Sequence, residues 1–591
     1  MHLHRAAVLC SAAKRSRIPR RAEAPELDPE VTQLDTFEDE APLDADLTVS
    51  QSESADDLGI LRDSQQGETS TPSSRQLVSS YPVSTAPESH TDLKLPALGA
   101  LALLALAGLA YVFRDKLKRA PAPPGFDALS KGVQQVQLQR EAGQRLNVLM
   151  DEMRNSPKAD LSAKNLGDPG AQYVVEALAF NTTCLQVDLS KNGIGPEGAA
   201  ALCVALGSNN VLQTLALDTN SIGDDGASNV AQYISTNASL EHVNLSGNGI
   251  SDTGATVLAE MLKINKTLTN LELNSNTIDY DGTKALASAI AENTTLTSLS
   301  ISDNYVGALG ASTLANALRA NTGIRRLYLR GNDMGDEGVK ALCAALAARS
   351  TPLTHLDLAN NNMTEDSAGE LAALLKQGHL EELNIYSNDL GDGGIFKMAE
   401  AIKVATALTL LDLGGNNIGP DGMSAVAGVL KGHTALRTLE LASNPIGEEG
   451  SRALADLLKF ELQVENLRLG WCKLGSGKAA EAIADLLQLN TTLKVVDLRG
   501  NNLKDPGALY VARALRELTN EGLQELDLGY NEITDEGACQ LALALKNNPM
   551  NVPREFKINA NYLQTFGQTA LVDALDMVAD VSGTTDFNIL L

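Results

Sequence analysis

Aromatic side chains make up only 4% of this 591-residue sequence, and there is one tryptophan, Trp471. Cysteine is equally scarce: Cys10, Cys184, Cys203, Cys343, Cys472 and Cys539 lie far apart and never form a C-x-x-C pair. That spacing excludes a disulfide framework and points to a reducing compartment. The seven histidines do not cluster with the cysteines, so no metal site or other cofactor is expected. Positive charge is in deficit, with a net charge of −27, which argues against non-specific binding to a phosphate backbone. Nucleic acid is therefore not an expected partner. A chain this long ordinarily divides into several compact domains, but internal repetition removes that requirement, because a stack of repeats needs no central core.

The first 160 residues are heterogeneous. Residues 1–22 carry Arg5, Lys14, Arg15, Arg17, Arg20 and Arg21 with no acidic residue, the composition of an organelle transit peptide. From Glu23 to Asp63 the sign reverses, with fourteen Asp or Glu against Arg62 alone. That acidic and then Ser/Thr-rich stretch, 23–94, has too few apolar residues to offset its ordering entropy and is expected to stay disordered. Leu95–Phe113 is an uncharged run of nineteen residues. As a helix it would span roughly 28 Å, close to the ~30 Å thickness of a bilayer's hydrocarbon core. Arg114, Lys116, Lys118 and Arg119 follow it, which predicts one transmembrane helix with the rest of the chain on the cytoplasm-like side. A basic, Pro-rich linker (114–125) and a helical N-terminal cap (126–158) are expected next.

From about residue 159 to 578 the phrase L-x-x-L-x-L-x-x-N-x-I recurs, followed by a glycine six residues after the asparagine and then a helical pattern. Asn192, Asn220, Asn248, Asn276, Asn304 and Asn332 mark a 28-residue period. Asn361, Asn388, Asn416, Asn444, Cys472, Asn501, Asn531 and Asn561 continue it, and Lys164 fills the slot in an imperfect first copy, giving about fifteen units. Alternating leucines such as Leu271 and Leu273 should point from a short strand into the stack. The asparagine should turn inward to bond otherwise unpaired backbone, and the glycine should let the chain turn into the helix. Helix residues at i, i+3 and i+4, such as Leu258, Met261 and Leu262, should pack on the strands. Residues 579–591 read as a C-terminal tail.

The period, the phrase "VDLSKNGIGPEG" at 187–198 and the Asn/Cys alternation resemble leucine-rich repeats of the ribonuclease-inhibitor type, over about seven tenths of the chain. With the basic leader, the whole looks like a plastid-targeted member from plants or algae. The resemblance implies an α/β solenoid, with a curved parallel sheet inside and helices outside, that binds a protein on its concave side. A chloroplast membrane with the repeats facing the stroma is the expected location; a mitochondrial or cytosol-facing membrane is the alternative.

Two motifs mislead. "CKLGSGKA" (472–479) ends like a phosphate loop but lacks its first glycine and its final Ser or Thr. The N-x-[ST] triplets at Asn237, Asn265, Asn293 and Asn490 fall at repeat joints in a chain without a secretory signal, so glycosylation is not expected. Asp188, Asp357, Asp412, Asp497 and Asp527 recur between inward leucines, where they read as solvated face residues with no catalytic companion. The inner face departs from small and acidic residues at Arg326, Tyr328, Arg330 and Tyr386, and again at Arg468, Trp471, Arg499 and Tyr530. Tyr, Trp and Arg dominate interface hot spots, so these eight are the expected partner-binding residues. Arg468 and Arg499 are expected to flank the exposed Trp471 indole, giving apolar contact and charge-assisted bonds to an acidic partner.

The function these features favour is a membrane-tethered, non-enzymatic adaptor. A GTPase activator of the Ran-activator type is the alternative, although its acidic stretch typically follows the repeats and here it precedes them. An immune-type sensor would need a nucleotide-binding module, and the sequence shows none.

Overall fold

The computed structural model describes residues 151–591, except 152, 584 and 585. The expected transit peptide, acidic segment, transmembrane helix and linker lie outside the described residues, as does most of the N-terminal cap. Among the described residues no helix is long and apolar enough to cross a membrane.

Sixteen strands of three residues each, from Lys158–Asp160 to Asn588–Leu590, form one parallel sheet in strict sequence order. A single helix connects each strand to the next. Register is exact from repeat to repeat: Leu271 lies opposite Val243 on one side and Leu299 on the other. All three are fully buried, while the strand residues flanking Leu271, Asn270 and Glu272, look out from the opposite face. Strand pleating thus sorts every third-residue triplet into one core residue and two inner-face residues. Helix residues Leu258, Met261 and Leu262, and Leu342, Ala345 and Leu346, close the core from the other side, as the i, i+3, i+4 spacing predicts. Strands stack ~4.8 Å apart but helices need ~10 Å, so the layers can stay in step only if the stack curves with the sheet inside.

Three polar ladders tie the repeats together. In the first, the marker asparagine is buried beneath the turn after each strand. Asn332 Nδ2 donates to the carbonyls of Leu329 (2.9 Å) and Arg330 (3.1 Å) in its own repeat and of Ile301 (2.9 Å) in the one before. Its backbone N–H donates to Asn361 Oδ1 of the next repeat at 3.1 Å. Cys472 keeps the slot with a thiol against Leu441 O at 3.3 Å, and burial pushes its pKa up to about 12, leaving it a protonated donor. In the second ladder, asparagines at the repeat joints cap helix ends: Asn265 Nδ2 donates to Ile234 O (2.7 Å) while its Oδ1 accepts from Leu268 N (2.7 Å). Asn237, Asn265, Asn293 and Asn490 are all buried in this role, which removes them as glycan acceptors in the folded protein.

The third ladder corrects the expectation for the repeat glycine. Gly254 sits inside the first helical turn, and a Cβ there would meet Asp224 Oδ1 at 2.6 Å and Ile250 Cγ2 at 2.7 Å. Its service is close approach: Asp224 Oδ1 accepts from Ser251 N (2.7 Å) and Gly254 N (3.0 Å), so the aspartate of one helix caps the next. The tight turns fall elsewhere, at positive-φ residues such as Gly223 (φ 56°) and Gly307 (φ 62°).

At the C-terminal end, residues 579–591 are more than a tail. They include the end of the helix Thr565–Ser582 and the last strand, Asn588–Leu590, which pairs in register with Glu555–Lys557.

Asn332→Ala would leave three buried carbonyls without the amide that bonds them, so a loss of about 3 kcal/mol or more is expected. Urea unfolding of the repeat region checks this; a loss under ~0.5 kcal/mol, the size of a neutral surface change, would show that the ladder is dispensable.

Candidate functional site

Successive inner-face positions line up across the sheet at strand spacing, so the face can be read as rows. Arg326 and Tyr328 flank the buried Leu327 on one strand, with Arg330 exposed two residues beyond. Tyr386 is half-buried, two repeats further on, and a Cβ at Gly414 of the following repeat would meet its ring at 2.8 Å. Arg468, Trp471, Arg499 and Tyr530 form a second group toward the C-terminal end. The strand of Arg326 and that of Arg468 are five apart in the sheet, roughly 24 Å, so the eight expected residues make two patches.

The second patch is the better built. Trp471 lies just before Cys472, at a slot where the chain takes a left-handed turn in nearly every repeat, and has φ 62°. Its backbone N–H donates to Arg499 O at 2.7 Å, and its side chain remains 51% exposed. The indole lies over Gly500, where a Cβ would come within 2.3 Å of the ring. Across that glycine it meets Tyr530, ring centroids 5.6 Å apart and tilted by 47°. Tyr530 occupies the same slot two repeats on, with φ 57° and 47% exposure. A missing side chain in the middle repeat is therefore what lets two aromatic rings meet and still face solvent. Nothing in the spacing of either residue alone reveals the pair.

The arginines do not flank the indole as free cations. Arg499 donates to Asp497 at 2.7 Å and lies 3.5 Å from Asp527, and both carboxylates are buried. Arg468 reaches Glu440 at 3.4 Å. Among the described residues the cation–π contacts are Lys284 over Tyr280 and Arg513 over Tyr510.

Nor are the repeated aspartates simply solvated. Each accepts from the backbone N–H two residues on: Asp188 from Ser190, Asp357 from Ala359, Asp412 from Gly414, Asp497 from Arg499 and Asp527 from Gly529, all at 2.9 Å. They hold the turn after the strand. Burial raises the pKa of Asp357 and Asp527, and pushes that of Asp412 up to about 6, with Asp357 as a like-charged neighbour. Burial likewise raises Glu440, opposed by Arg468. Among the described residues, no group of three or more His, Cys, Asp or Glu is placed to hold a metal ion.

A family described as "Leucine Rich repeat" matches nine stretches: 181–203, 208–231, 320–343, 349–372, 378–399, 405–427, 432–455, 489–512 and 519–542. The "TMOD/LMOD Leucine-rich domain" matches 227–327. The repeats are leucine-rich repeats. No curated protein matches the chain. Among solved structures, the leucine-rich repeat chain is similar to "Leiomodin-1 Actin-Binding Site 2 (ABS2)", with 26% identity over 22% of this chain and 78% of that one and a TM-score of 0.21. It is also similar to a chain of "Crystal structure of Rad7 and Elc1 complex in yeast", with 16% identity over 65% of this chain and 95% of that one and a TM-score of 0.35.

The Asp412 carboxyl supplies a pH test. Its folded pKa, about 6, lies above the ordinary 3.8, so the fold loses stability as pH rises from about 4 to 6 and the ionised group opposes folding above that. Asn384 makes the same turn bond to Tyr386 N at 2.9 Å, so an amide can replace the carboxylate. Asp412→Asn should therefore stabilise the repeats by about 1–2 kcal/mol at pH 7 and by close to nothing at pH 4. Thermal melts at both pH values decide it; an equal effect at both would exclude the ionisation as its cause.

Proposed function

We propose that this protein is a binding scaffold whose protein partner seats on the inner face of the leucine-rich-repeat sheet, anchored at Trp471 and Tyr530. Leucine-rich repeats are typically protein-interaction modules. The observation that carries the choice of anchor is the half-exposed ring pair held over Gly500. An aromatic ring that is fixed before binding loses little conformational freedom on contact, which is why such residues dominate interface energetics. Sixteen strands at ~4.8 Å give an inner arc of roughly 70 Å, room for a whole protein domain. Arg326, Tyr328, Arg330 and Tyr386 then form a second contact region along the same arc.

The tether belongs to the same proposal. Leu95–Phe113, followed by four basic residues within six positions, is read as one membrane span, and the acid-free leader as an import signal to an organelle, a plastid in the reading favoured by the ribonuclease-inhibitor-like repeats. Full-length native protein should stay in the membrane fraction after alkaline carbonate extraction; release into the supernatant would remove the span.

For the anchor, Trp471→Ala should weaken partner binding by at least ~2 kcal/mol, in the hot-spot range, while leaving folding nearly unchanged. Affinity and thermal unfolding are to be measured on the same preparation of the full chain with the partner captured by it. An unchanged affinity would place the partner elsewhere, and a large drop in melting temperature would make Trp471 a structural residue.

A further inference from the structure

The helical side of the repeats carries its own departure from pattern. Between the helices Lys504–Arg516 and Asp535–Asn547 lies a groove of about 380 Å³, flanked by Leu509, Tyr510, Arg513 and Arg516 on one side and Leu543 on the other. Its size falls within the ~300–1,000 Å³ of binding pockets. The repeats provide an internal standard for what these positions ordinarily hold. Two residues after the helix glycine, where Leu509 stands, other repeats place Thr256, Lys284, Ser312 and Arg452, and one places Phe396. Six residues after it, where Leu543 stands, they place Glu260, Asn316, Glu400 and Asp456, and one places Val204. Here both are leucine, 53% and 54% exposed, and they face one another across the same groove.

The charge is also unusual. In a chain of net charge −27, no carboxylate lines this groove, and its two charged residues are both arginines. Arg513 stacks on Tyr510, pairs with Asp485 at 2.9 Å and lies 3.9 Å from Glu481; Arg516 pairs with the neighbouring Glu517 at 3.2 Å. Both guanidiniums remain two-fifths or more exposed, and surface pairs of this kind exchange readily because each is worth only ~0–1 kcal/mol.

We propose that this groove is a second protein-docking site, on the helical side, for an amphipathic helix whose apolar stripe packs on Leu509, Tyr510 and Leu543 and whose acidic flank meets Arg513 and Arg516. The flanking helices have thirteen residues each, about 20 Å, so a partner helix of about 14 residues matches them in length. Apolar residues at i, i+3/i+4 and i+7 would fill the groove in the helix-in-groove mode. The site is independent of the inner face and does not rest on the Trp471 anchor.

The test uses the full chain and a fluorescent, hydrocarbon-stapled peptide of about 14 residues, with Leu at i, i+4 and i+7 and Glu on the flank, beside a twin with Lys for each Glu. The Glu peptide should bind, and Leu543→Glu should weaken it by about tenfold or more, as should Arg513→Gln/Arg516→Gln in the double variant. Leu509→Ala, which keeps the surface uncharged, should weaken it less, and Trp471→Ala should leave it unchanged. Equal binding of the Lys twin, no binding of either peptide, or loss only with Trp471→Ala would overturn the proposal. So would conversion of a dimer to a monomer by Leu543→Glu, which would make the groove a self-contact.

Discussion

The repeats end their strands in turns whose carbonyls face the interior of the stack, and, except where Cys472 and Lys164 take the slot, a buried asparagine amide is what bonds them. Because the Asn332 amide bonds Leu329 O in its own repeat and Ile301 O in the repeat before, its geometry fixes both the turn and the distance between neighbours. The rest follows from that spacing. Strand register, the alignment of inner-face rows and the approach of glycines such as Gly254 to the preceding helix all require neighbouring turns to superimpose. A stack held this way has its stability distributed over nearest-neighbour interfaces, without a central core. At one joint an arginine takes the asparagine's place: Arg349 donates to Asn321 O at 3.0 Å and Ile324 O at 2.9 Å, and burial lowers its pKa to about 10.

The architecture was legible because it is periodic. Leucine alternation, the asparagine slot and helical spacing each repeat often enough to set one another's register, and even Cys472 could be placed by counting. What the sequence could not show are contacts between side chains on different repeats. Trp471 and Tyr530 are 59 residues apart and meet only because Gly500 intervenes, a fact about three repeats at once. The aspartates looked solvated because the pattern shows which face a residue occupies but not that its carboxylate folds back onto the N–H two residues later. The glycine after the asparagine looked like a turn for a similar reason: its constraint comes from Asp224 and Ile250, residues that lie near it only once the helices are stacked. The last strand, Asn588–Leu590, went unseen because it lacks the repeat phrase and joins the sheet through backbone pairing alone.

Aspartates in the first turns of the helices cap the next helix, and aspartates on the strands hold the turns, so these carboxylates perform local hydrogen bonding. Where such carboxylates are also buried, the ionised form is opposed, and arginine side chains answer it: Arg499 spans Asp497 and Asp527, and Arg468 reaches Glu440. Most of the inner-face charge around Trp471 is therefore already compensated within the chain. A partner arriving there meets paired charge and two open rings, so apolar contact with the rings has more to give than a new ion pair.

A repeat protein carries its own reference, since each position is sampled in every unit. By that reference, the departures on the inner and helical sides fall in the same part of the chain. Trp471, Gly500 and Tyr530 occupy the inner rim, and Leu509 and Leu543 the helices, of consecutive units. Those units include the longest: the marker spacing is 29 residues from Cys472 to Asn501, as it is from Asn332 to Asn361, and 30 from Asn501 to Asn531 and from Asn531 to Asn561. Added residues leave the strand register intact, as the unbroken pairing from Asn466–Arg468 to Glu555–Lys557 shows, so the slack is taken up in the connections to and from the helices. The groove at Leu509 and Leu543 lies on the helices and the ring pair on the sheet side of these units. The two surfaces are separated by the thickness of the repeat and can be engaged at the same time, which is the geometry a scaffold needs to hold two segments together.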